Sequence, residues 1–172
     1  CISEDGDLRG RDIAARVGAA FGGSNVFLHA PSIVDTPAAR DTIMSDSNIR
    51  KVVDQWPRLD AAVVGIGSFV PPSTLLEEGG FSAEDLDGLR EAGVVGDMCM
   101  SFFNIEGEHV STRLESRMIG VSLAQLRSVE CVVAIAGGVN KASGILGALR
   151  TGVVDVLVTD DVAARKVLEM ER

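Results

Sequence analysis

Few side chains in this sequence combine a reactive type with a useful spacing, and most of them follow short apolar runs. Gly137-Gly138-Val139-Asn140-Lys141 comes directly after the run Cys131–Ala136. Two glycines let the backbone approach a ligand, a helix N-terminus points free N–H groups at it, and Lys141 adds a full positive charge. A cation in a first helical turn opposes the macrodipole by roughly 0.3–1 kcal/mol, a conflict that an anionic ligand would relieve. The same residues also read as a glycine turn beside a surface lysine. Asp97 lies between Val94-Val95-Gly96 and Met98-Cys99-Met100. A carboxylate in such surroundings is either tied up in hydrogen bonds or faces a pocket. Gly65-Ile66-Gly67-Ser68 ends another apolar run. With Val70 where a GxGxxG motif needs its third glycine, it is neither a dinucleotide fingerprint nor a P-loop, and a tight turn accounts for it more simply. Asp160-Asp161 reads as an N-cap, or as an acceptor for a sugar hydroxyl. His29 and His109 have no nucleophile or ligand pattern near them. Cys99 and Cys131 read as inert core thiols. No metal, cofactor or catalytic set is expected.

The elements that must position these residues alternate. Arg11–Phe21 has apolar residues at helical spacing and stops at Gly22-Gly23. Ser24–His29 reads as a strand. Thr36–Met44 and Asn48–Gln55 read as short helices, the first capped by Thr36 ahead of Pro37 and the second by Asp46 or Ser47. Ala61–Ile66 is continuously apolar, as a strand covered on both faces should be. A short helix, Ser73–Glu78, follows Pro71-Pro72. Ser82 and Asp85 form a capping box for a helix ending near Gly93. Val94–Asn104 is a strand pair or one long strand, and Ser122–Leu126 one or two helical turns. Then come strand Cys131–Ala136, helix Lys141–Arg150 capped by Asn140, strand Val153–Val158, and helix Val162–Glu171 opened by Asp160 or Asp161. This run predicts a parallel sheet with right-handed crossovers. Ligands of open α/β sheets bind beyond the carboxyl ends of the strands, so the residues that follow each strand should converge on one rim.

The chain has 172 residues, 46% of them apolar, with 19 glycines and no tyrosine. That suits one domain, residues 1–172, with buried parallel strands. A net charge of −9 excludes a general attraction to nucleic acid or anionic lipid. Three cysteines without a CxxC point to a reduced, cytoplasmic protein, and no apolar run is long enough to span a membrane.

Four strings taken together are more specific than any one of them: G-I-G-S (65–68), G-V-V-G-D-M-C-M-S-F-F-N (93–104), R-M-I-G-V-S-L-A-Q-L (117–126), and V-V-A-I-A-G-G-V-N-K-A-S-G-I-L-G-A-L-R-T-G-V-V-D-V-L-V-T-D (132–160). They resemble the effector-binding domain of SorC/DeoR-type bacterial sugar-responsive transcriptional regulators, from about Asp12 to Leu168. The resemblance implies a Rossmann-like α/β fold related to sugar-phosphate isomerases and deaminases, with a mostly parallel sheet and helices on both faces. It implies a phosphorylated sugar or related small effector, and a homo-oligomer that performs no chemistry. Asp97 would contact effector hydroxyls. Lys141 and the Gly137-Gly138 turn would line the same pocket, with Ser68 and Asp160 as lesser candidates. An isomerase or deaminase of the same fold is the alternative, with Asp97 as base. Met100 replaces a glycine of the family pattern, which would narrow the pocket, and Asn104 replaces an aspartate. Family regulators begin with a helix-turn-helix, and their effector domain opens with a strand and a Gly/Ser/Thr-rich loop that helps hold the phosphate. Neither is present, so the domain is expected to be truncated on its N-terminal side, with DNA bound only through a helix-turn-helix domain absent from this chain.

Overall fold

Five strands form in a computed structural model that describes residues 4–70 and 81–171: β1 (Ala61–Gly65), β2 (Gly96–Met98), β3 (Ser101–Phe103), β4 (Cys131–Ile135) and β5 (Val156–Val158). Strands β1, β4 and β5 make a parallel sheet in that order, and β2 and β3 pair as an antiparallel hairpin. The helices are α1 (Glu4–Phe21), α2 (Pro37–Ser45), α3 (Ser47–Val53), α4 (Ala83–Glu91), α5 (Leu123–Leu126), α6 (Ala142–Arg150) and α7 (Asp161–Met170). The α/β class and the parallel sheet with flanking helices are as expected.

Local chemistry explains most boundaries. Thr36 accepts from the amide of Ala39 ahead of Pro37, Asp46 caps α3, and Ser82 with Asp85 forms the capping box of α4. The β4–α6–β5–α7 run is continuous. Its helices join a core in which Ala62, Val64, Val132 and Ala134 of the sheet meet Ile145, Ala148, Ala163 and Val167. Each large apolar side chain buried this way contributes roughly 1.5–3 kcal/mol. A second cluster, Leu89, Val94, Phe102, Leu114 and Met118, seats α4 against the hairpin.

Several boundaries differ from the sequence reading. Ser24–His29 is not a strand, because no strand among the described residues lies beside it to complete a ladder. Strand Val153–Val158 shortens to Val156–Val158, and Val94–Asn104 resolves into the hairpin. Cys99 therefore sits in a turn, not in a strand. Asn140 does not cap α6; a 3₁₀ turn, Val139–Lys141, precedes the helix. The expected helix Ser73–Glu78 lies outside the described residues.

Among the described residues the sheet is covered on one face. Register aligns Val63, Val133 and Val156 in one row and Gly65, Ile135 and Val158 in the next. In these rows Val63 is 69% exposed and Ile135, Val156 and Val158 nearly half exposed. The continuous apolar run of β1 is thus not matched by cover on both sides. Helix α1 likewise presents Ile13, Val17 and Phe21 to solvent.

Candidate functional site

The ends of β1, β4 and β5 carry residues 65–68, 136–141 and 159–161, and the parallel sheet brings them to one rim. Asp97 arrives from the hairpin. It is joined to the rim by its own carbonyl, which accepts from the amide of Gly67 at 2.9 Å. Close backbone approach allows this: a Cβ on Gly96 or on Gly144 would stand 2.7 Å from the Gly67 carbonyl oxygen.

The rim loops are tied to one another. The Ser68 hydroxyl, fully buried, donates to the carbonyl of Asn140 at 2.7 Å and accepts from the amide of Val70 at 3.2 Å. Nζ of Lys141 donates to the carbonyl of Ile66 at 3.1 Å. Asp97, Lys141 and Ser68 are therefore brought together from three distant stretches of chain.

Asp97 is buried in β2, and its Oδ2 accepts from the amide of Met100 at 3.0 Å. Burial pushes its pKa up to about 6, against the pull of the Met100 amide and of the Lys141 charge. Half-burial lowers the pKa of Lys141, and the Asp97 carboxylate opposes that shift. Cys99 is pushed up to about 11, first by burial and then by Asp97, so its thiol is unreactive at neutral pH.

A two-residue turn aims the Met100 amide. Cys99 and Met100 both have positive φ, 53° and 70°, the geometry of a type I′ hairpin normally given to Asn-Gly. Two side chains in this region cost on the order of 1 kcal/mol each. Met100 packs against the second core cluster, so its side chain does not support the expected narrowing of the pocket.

Both oxygens of Asp160 are engaged by backbone. Oδ1 accepts from the amide of Ala163, capping α7, and Oδ2 accepts from the amide of Gly138 at 2.5 Å. These bonds lower its pKa. Gly137 and Gly138 thus enclose a carboxylate of the protein itself. The groups that sequence reasoning missed are mostly backbone ones, the carbonyls of Ile66 and Asn140 and the amide of Met100, and no residue type announces them.

Among the described residues no group of three or more His, Cys, Asp and Glu side chains is placed to hold a metal ion. No described helix is long and apolar enough to cross a membrane.

A family model described as "Putative sugar-binding domain" matches residues 2–169. The sorbitol operon regulator of Klebsiella pneumoniae is 33% identical over 139 residues, which are 81% of this chain and 44% of that protein. A domain given the same description, from a Vibrio fischeri transcriptional repressor, superposes with a TM-score of 0.82 at 35% identity, covering 92% of this chain and 64% of that one. The full-length sorbitol operon regulator of K. pneumoniae superposes with a TM-score of 0.79 at 31% identity, covering 88% of this chain and 49% of that one. The chain spans about half the length of the curated relatives it matches.

Proposed function

The chain belongs to the sugar-binding-domain family found in SorC- and DeoR-type regulators, and from that premise we propose that it senses a sugar-class effector for a transcriptional regulator. Asp97 and Lys141 are the polar centre of the site, and their pairing carries the reading. A buried carboxylate lies within electrostatic reach of a half-buried ammonium whose only hydrogen bond among the described residues is to Ile66. The carboxylate accepts from sugar hydroxyls; the ammonium leaves donors for hydroxyls or for the oxygens of a phosphate. A phosphorylated sugar uses both. Ser68 and the Gly137-Gly138 turn shape the wall.

Sensing is proposed over turnover because the matched relatives are named regulators. An effector acts by favouring one conformational or oligomeric state over another. The protein is proposed to be cytoplasmic and homo-oligomeric, and to reach DNA through polypeptide outside these residues.

The domain is further proposed to be completed by polypeptide beyond the 172 residues. The open face of a parallel sheet supports this, since such sheets are normally covered on both sides.

The test is a thermal-shift and calorimetric screen of hexose, pentose and polyol phosphates beside their unphosphorylated forms. A saturable shift that Asp97→Ala or Lys141→Ala abolishes is expected. Indifference to every member of the panel would overturn the reading. Turnover of a bound compound, followed by NMR, would favour the enzyme.

A further inference from the structure

The Gly137-Gly138 turn has the outward form of an anion cradle, but its nearest anion is Asp160. A Cβ on Gly137 would stand 2.5 Å from Oδ2 of Asp160, so glycine is required there for the carboxylate to come close. Gly138 has φ +93°, and its amide is the group that Oδ2 holds. From Gly138 the chain enters the 3₁₀ turn, where the amide of Lys141 donates to the Gly138 carbonyl at 3.0 Å. The orientation of the Gly138 peptide therefore sets where Lys141 begins. The other oxygen of the same carboxylate caps α7 through Ala163.

We infer that Asp160 is a positioning residue: it fills the Gly137-Gly138 turn from within the chain, sets the placement of Lys141, and links that placement to the start of α7, without touching the effector. The inference rests on the proposed sensing role of Lys141. It stands as the alternative to direct binding of effector by Asp160. It also assigns an effector phosphate to the Lys141 ammonium and not to the Gly138 amide, which is already occupied.

The experiment compares Asp160→Ser with Asp160→Ala in the 172-residue chain. Serine keeps an N-cap acceptor for Ala163, but its single short oxygen does not bridge to Gly138. In Asp160→Ser the melting temperature should stay near that of the parent. Exchange of the Gly138 amide should accelerate at least tenfold, and the Lys141 side-chain NMR signals should move. Asp160→Ala should show both changes and also lose protection at Ala163. Fructose 6-phosphate serves as the ligand probe. Unchanged Gly138 exchange and Lys141 signals in Asp160→Ser would overturn the inference. So would weaker fructose 6-phosphate binding with those signals unchanged, since Asp160 would then touch the ligand. Absence of sugar-phosphate binding to the parent would count against the sensing role alone, because the amide and lysine readouts need no ligand.

Discussion

Asp97 and Lys141 act on each other's charge at the rim of the sheet, each held by a different backbone group. The carboxylate takes the Met100 amide at 3.0 Å, and the ammonium gives to the Ile66 carbonyl at 3.1 Å. The two charges influence each other's titration in opposite directions from burial. The pair is thus polarised and pre-positioned, and a polar ligand can engage both groups without first dismantling a tight ion pair.

Asp97 should make stability depend on pH. Its folded pKa, about 6, lies above its ordinary value of 3.8. The folded state then binds more protons at Asp97 than the unfolded one between these values, so the contribution of Asp97 to stability is greatest below pH 4 and is lost as pH rises through 6. Asp97→Asn should therefore stabilise the protein at pH 7.5, by up to about 3 kcal/mol, with little effect near pH 4. Urea melts at the two pH values check this; an equal effect at both would contradict it.

Lys141→Met should act in the opposite sense. It leaves a buried carboxylate without its counter-charge, which should destabilise the fold at neutral pH by roughly 1–3 kcal/mol. The loss should be largely absent when Asp97 is already Asn. A double-mutant cycle measures this coupling, expected at about 0.5–3 kcal/mol. An undiminished Lys141→Met loss in the Asp97→Asn background would show that the charges do not interact.

Two helical glycines should respond to alanine with opposite signs. Gly88 of α4 has open space around its Cβ position, so Gly88→Ala should stabilise by about 0.5–1 kcal/mol. Gly144 of α6 is buried under the Gly67 carbonyl, 2.7 Å from a Cβ. Gly144→Ala should destabilise by roughly 1–3 kcal/mol and displace the Ile66 and Ser68 contacts. Denaturant midpoints with unchanged slopes give both values.

The open sheet face should make this chain associate. Exposed apolar rows of this kind mark an interaction surface. Sedimentation velocity should show concentration-dependent species together with binding of a hydrophobic dye. Val63→Thr with Val158→Thr should reduce both while keeping β-compatible side chains. A monodisperse, dye-silent parent chain would show that the face is tolerated as it stands.

Elements built from local chemistry were legible in the residues themselves. Thr36-Pro37, Asp46 and Ser82 with Asp85 open helices by side-chain bonds to amides only two or three residues on. The last third, from Cys131 to the final helix, alternates so regularly that the parallel sheet followed from it, and with it the shared rim. Asp97 and Lys141 stood out because a carboxylate in an apolar run and a scarce lysine behind two glycines both carry an energetic cost.

Tertiary structure decided the rest. Ser24–His29 has the composition of a strand, yet a strand exists only where a neighbour completes its ladder, and no strand among the described residues pairs with it. Asn140 reads as a cap, but a 3₁₀ turn over Val139–Lys141 carries the helix start past it, and its carbonyl accepts from Ser68, 72 residues away. Asp160 reads equally as cap or ligand, and only folding shows its second oxygen on Gly138, 22 residues back. The type of a residue determines what it can bond; which partner it meets depends on chain packing over distances that local pattern does not encode.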